Sequence, residues 1–339
     1  MPHHHDTRQP AVREGVGPMM LVVTWWALVL SPVNASAQEE EEAPSAVAAV
    51  SAGAPRTDIY LATLGGTGEY VLLGRPRNVT PRVGYDNQPA FSADGQALFY
   101  TSIRGDGQAD IYRLSLHDEQ AAPVRLTATA TMSEYSPTPM PGGGLSTVRV
   151  EPDGAQHLWR LTGVGTDVTR LLPSLDNVGY HLWTSDTHLA LFLVGEPLSL
   201  VLAERADRTP PGEASAPKPI AEGIGRALAR SADGRYVVFV QSLDENNREL
   251  RRYEVATGEV STWAPMVPGG AGDFAIDPTS GAAFTVLGRT LLRLPADQSR
   301  WLAVGDLIVP GGEVSRLAIS PQGDRLAIVV AEAAAEGEG

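Results

Sequence analysis

The side chains best suited to chemistry stand singly, each just ahead of or at the start of an apolar β run. They are Tyr85, Asp86 and Asn87, then Glu134 with Tyr135, Tyr180 with His181, and Arg226, Asp273 and Arg316. Acids, a histidine and arginines gathered at one opening could bind a polar ligand. His181 beside Asp86 or Glu134 could also act as an acid–base pair or help to hold a metal. Other chemistries are poorly served. The chain has no cysteine, so thiol nucleophiles, disulfides and thiolate metal sites are excluded. It has no Gly-x-Ser-x-Gly elbow and no phosphate loop ending in Gly-Lys. His117, His157 and His188 lack a second histidine two or four residues away. Asp106 and Asp110 lack the further carboxylates that a calcium loop needs, and read as turn and strand-start residues. The expectation is no metal and no cofactor.

What positions these residues is a repeat. From Phe91 to Leu116 three apolar runs are separated by Ala93-Asp94-Gly95 and Gly105-Asp106-Gly107, and a fourth run follows at Pro123–Thr127. Asp-Gly between alternating apolar runs predicts hairpins with type I′ turns. The first turn recurs at Gly143, Thr187, Gly234, Gly281 and Gly323, at spacings of 48, 44, 47, 47 and 42 residues. Four short strands per period of this length predict the blades of an all-β, six-bladed β-propeller. The third run recurs at Asp110–Tyr112, Leu158–Arg160, Leu200–Leu202, Arg252–Glu254 and Leu291–Arg293. The sixth turn has no third run after it, since the chain reaches Ala331 first. Strands near Asp58–Leu64 and Tyr70–Thr80 are therefore expected to complete the last blade and close the ring. An open solenoid is the other architecture such a repeat allows, but sharing one blade between both ends has no use in an open stack. The loops leading into the innermost strands then bring the ten residues named above to one channel mouth, with Trp183 beside them.

Tyr85-Asp86-Asn87-Gln88-Pro89-Ala90-Phe91-Ser92-Ala93-Asp94-Gly95, Tyr100-Thr101-Ser102 and Asp110-Ile111-Tyr112 closely resemble the repeat of TolB-like propellers of bacterial periplasmic proteins. Ser231-Ala232-Asp233-Gly234-Arg235 and Ser320-Pro321-Gln322-Gly323-Asp324-Arg325 are similar to it. The resemblance implies an exported propeller that works by protein contact. The separate α/β domain of the Tol protein is not expected, because only a short spacer precedes the first strand.

Met19–Leu30 is an apolar run preceded by Arg8 and Arg13 and followed by Ala35-Ser36-Ala37, the three-part pattern of a secretory signal. Residues 1–37 are read as that signal, 38–57 as an acidic disordered spacer, 58–331 as the propeller and 332–339 as a disordered tail. The location expected is periplasmic or secreted, with no transmembrane segment in the mature chain. The net charge is −14, half of it in the two ends, which excludes non-specific nucleic-acid binding. The function expected is a monomeric, non-catalytic binding or scaffolding protein that engages a protein, peptide or envelope glycan at the channel mouth. The alternative is a propeller enzyme of the lactonase or glycan-lyase type.

Overall fold

The computed structural model describes residues 54–66, 70–118, 120–162, 167–205, 215–270 and 272–332. The signal, nearly all of the spacer and all but the first residue of the tail lie outside the described residues. Within them every regular element is a β-strand. Among the described residues no helix is long and apolar enough to cross a membrane.

The strands form antiparallel units in chain order. After β1 (Thr57–Gly65), β2 (Leu72–Leu73) and β3 (Arg77–Asn78), the first unit holds β4 (Tyr85–Phe91), β5 (Ala97–Ile103), β6 (Ala109–Ser115) and β7 (Val124–Arg125). The second holds β8 (Ser133–Pro139), β9 (Leu145–Val150), β10 (Gln156–Thr162) and β11 (Asp167–Arg170). The third comprises β12 (Val178–Trp183), β13 (His188–Leu193), β14 (Ser199–Glu204) and β15 (Lys218–Glu222). The fourth comprises β16 (Ile224–Arg230), β17 (Tyr236–Ser242), β18 (Arg248–Glu254) and β19 (Val260–Pro265). The fifth has β20 (Ala275–Ile276), β21 (Ala283–Leu287), β22 (Thr290–Leu294) and β23 (Leu302–Asp306). Last come β24 (Val314–Ile319) and β25 (Arg325–Ala331).

β25 pairs with β24 on one side and with β1 on the other, from Thr57 opposite Ala331 to Thr63 opposite Arg325. β2 and β3 both pair with β1. The two chain ends thus share one antiparallel unit, and β1 starts one residue earlier than the sequence suggests. A single parallel residue pair, Thr57 with Tyr85, links this unit to the first.

The strand types follow from position. Second strands such as β17 and β25 are buried along most of their length. Their near-continuous apolar runs suit a sheet covered on both faces. Outer strands such as β15 and β23 are largely exposed and carry Lys218, Pro219 and Asp306, residues that discourage edge pairing. The core is divided into clusters that each bridge two units. One joins β21 and β22 to β25 and Tyr60, and another joins Ile59, Ala327 and Val329 to Phe91, Leu98 and Tyr100.

The recurrent turns differ from the type I′ expected. At the first, only Gly95 has positive φ, at 71°, and its N–H donates to Ser92 O. Asp94 Oδ1 accepts from Ser92 Oγ at 2.6 Å and from Gln96 N at 2.9 Å, so the aspartate caps the turn and need not enter the left-handed region. Ser231 and Asp233 repeat this arrangement around Gly234.

Candidate binding site

The first strand is irregular in five of the six units. β4, β8, β12, β16 and β24 each break register with their neighbour, between Asn87 and Ala90, Tyr135 and Thr138, Val178 and Tyr180, Ile224 and Leu228, and Val314 and Arg316. A bulge re-aims the side chains that follow it. Here those side chains line a cavity of about 180 Å³. Gln88, Ser136, His181, Arg226, Asp273 and Arg316, one from each unit, contribute to its wall. Pro89 and Pro137 sit beside Gln88 and Ser136, where a missing N–H is tolerated at a bulge on an open strand edge.

The backbone is strained here. Three non-glycine residues among those described have positive φ: Gln88 at 56°, Ser136 at 54° and Asn177 at 61°. Gln88 and Ser136 line the cavity, and Asn177 immediately precedes β12. Such conformations cost about 1–3 kcal/mol each and cluster at functional sites. Gln88 Oε1 accepts from Ser136 N at 2.6 Å and from Thr101 Oγ1 at 2.9 Å, which fixes the amide orientation.

Five of the ten sequence-predicted residues line the cavity: Tyr180, His181, Arg226, Asp273 and Arg316. Arg226 is paired with Asp273, with Nε at 3.0 Å from Oδ1 and Nη2 at 2.6 Å from Oδ2. Arg316 Nη2 donates to Tyr180 Oη at 2.8 Å, and its guanidinium stands 5.2 Å from the centre of that ring. Phe192 meets the same ring edge-on at 5.5 Å. His181 is buried, with Nε2 2.7 Å from Ser146 Oγ, which also accepts from Trp183 Nε1. Its Nδ1 has no partner, and burial pushes its pKa down to about 3, so the ring is neutral at pH 7.

The other five are not part of the cavity wall. Asp86 is fully buried and accepts from Arg82 Nη2 at 2.8 Å. Glu134, equally buried, accepts from Arg149 Nε at 3.0 Å and Thr129 Oγ1 at 2.7 Å. Burial outweighs these contacts and raises both carboxyl pKa values. Asn87 Oδ1 is taken by Gln88 N. Tyr85 is buried, its pKa raised first by desolvation, and burial pushes the half-buried Tyr135 up to about 12. Trp183, expected beside the mouth, is core. Neither acid is therefore set beside His181 in the cavity. Among the described residues no three His, Asp or Glu side chains are gathered as a metal centre. Asp106 and Asp110 both bind Arg125.

Sequence reasoning passed over Gln88, Ser136, Leu228, Phe274 and Leu317. A signal for the first two was present: X-Pro recurs 48 residues apart, at Gln88-Pro89 and Ser136-Pro137, within otherwise strand-like runs.

The Tol-Pal system protein TolB of Desulfosudis oleivorans is 29% identical over 130 residues, 38% of this chain and 27% of that protein. The solved putative TolB of Agrobacterium tumefaciens superposes with a TM-score of 0.61 at 15% identity, covering 83% of this chain and all of that one. The chain is TolB-like in its fold. The TolB of Acinetobacter baumannii gives a TM-score of 0.52 at 15% identity, over 81% of this chain and 65% of that one. An oligogalacturonate lyase solved with manganese gives 0.54 at 14% identity, over 76% and 80%. At these identities the structural matches speak to fold. The TolB-like chain matches about a quarter of the length of the Desulfosudis protein. No family model matches it.

Proposed function

We propose that the units form a closed six-bladed propeller, and that this chain is an exported, non-catalytic binding protein that takes a polypeptide partner at the mouth of the central cavity. Support for closure comes from the contacts of the innermost strands. β4 touches β8, β8 touches β12, β12 touches β16, β16 touches β20, β20 touches β24, and β24 touches β4. Support for binding at the cavity rests on one observation above all. All six units send a polar side chain to one cavity: Gln88, Ser136, His181, Arg226, Asp273 and Arg316. Side chains that a rigid scaffold brings together at one opening are where binding concentrates. The location follows the sequence expectation of a secretory signal and the likeness to TolB.

The test is partner capture from envelope extract by the parent and by Ala227→Trp, which fills the cavity wall. Capture lost with an unchanged melting temperature supports the reading. Capture retained by a folded Ala227→Trp protein places the partner elsewhere.

A further inference from the structure

The charges in the cavity do not balance. Arg226 and Asp273 neutralise each other, and Arg226 Nη2 also donates to Ser315 O at 3.1 Å. His181 is neutral. Among the described residues Arg316 hydrogen-bonds only to the Tyr180 hydroxyl and has no carboxylate within ion-pair distance. Two guanidiniums thus share one carboxylate, which leaves a net positive charge in the cavity wall.

The free hydrogen-bonding capacity next to it is donor-rich. Gln88 Oε1 is occupied twice, so its amide NH₂ is the free end, and nothing among the described residues accepts from it. A guanidinium and an amide NH₂ suit a ligand group that only accepts. One net positive charge matches a monoanion better than a phosphate, which carries more charge at pH 7. Leu228, Phe274 and Leu317 supply apolar wall beside them.

From these residues we infer that the cavity binds a carboxylate carried on an apolar body, the chemistry of a polypeptide's C-terminal residue. The carboxylate lies against Arg316 and Gln88, and the side chain of that residue lies against Leu228, Phe274 and Leu317. This rests on the cavity being the binding site, and it adds the class of group bound there.

The experiment titrates the purified protein with N-acetyl-L-leucine, its neutral amide N-acetyl-L-leucinamide, and galacturonate, followed by NMR chemical-shift changes. The acid is expected to bind at least about tenfold more tightly than the amide, the scale of one charge-assisted contact. Arg316→Gln should abolish that preference, and Arg316→Lys should retain part of it. Equal binding of acid and amide, or no binding of the acid, overturns the inference. So does an unchanged preference in Arg316→Gln. Galacturonate binding in place of the acetylated amino acid reassigns the carboxylate to a sugar and also overturns it. If Arg316→Gln fails to fold, the acid–amide comparison on the parent still decides. Loss of capture by Ala227→Trp with no acid preference leaves the binding site standing and removes only the carboxylate.

Discussion

At the scale of single residues, His181 carries a cost that pH should reveal. Its ring is buried, neutral and without a partner at Nδ1. In the unfolded chain a histidine takes up a proton near pH 6.5, whereas the folded ring resists until about 3. Between these values the unfolded state holds more protons, so stability is complete above about 6.5 and falls as the pH drops. By pH 5 the loss from this group is about 2 kcal/mol. Asp86 and Glu134 act with the opposite sign, because burial raises their pKa and protonation as the pH falls then favours the folded state. The measurement is therefore a difference. Urea unfolding of the parent and of His181→Leu at pH 7 and pH 5 should show the variant gaining about 2 kcal/mol on the parent. A gap that does not change with pH would mean that the ring titrates freely. Ser136 is the companion case: its left-handed φ and orphaned hydroxyl cost stability. Ser136→Gly is expected to be more stable by about 1 kcal/mol.

At the scale of elements, β1 completes the unit that holds β24 and β25. It covers the free edge of β25 from Arg325 to Ala331 and buries Ile59, Tyr60 and Leu64. Those three side chains are worth about 6 kcal/mol of burial, comparable with the whole stability of many domains. A chain beginning at Pro81 should therefore aggregate on size-exclusion chromatography. A synthetic peptide spanning residues 56–66 should restore part of the monomer peak. A truncated chain that stays monomeric and melts like the parent would show that β1 is dispensable. The bulges are the second element-scale device. Without them Asp86 and Gln88, or Glu134 and Ser136, would face the same way two residues apart. With them, the acids turn toward Arg82 and Arg149 while Gln88 and Ser136 reach the cavity.

At the scale of the whole molecule, the core is a set of clusters, each shared by two neighbouring units. No unit is buried on both faces unless its neighbours are in place. In the proposed ring the unit holding both chain ends is then as deeply held as any other. Hydrogen exchange tests this: the amides of Ile59–Leu61 and Ala327–Val329 should exchange only through global unfolding, as slowly as those of Val237–Val240 in β17. Faster exchange confined to β1 would place the opening of the molecule at this seam and would count against a closed ring.

The repeat, the places though not the type of its turns, and the need for the N-terminal strand to pair at the far end of the chain were legible in the sequence. Glycine at a left-handed turn, alternating apolar runs and a missing third strand are local or countable features, and their physics acts within a few residues. Tyr180, His181, Arg226, Asp273 and Arg316 were legible as a group because the period carries each to the same place in its unit. The rest of the cavity wall was decided by tertiary structure. A bulge shifts register by a residue, and its position depends on how a strand fits its partner, so the choice between Asp86 and Gln88 could not be made from spacing. Charge was settled the same way. Which guanidinium is neutralised and which is left facing the cavity depends on side chains brought together from far apart in the chain, Arg226 with Asp273 and Arg316 with Tyr180.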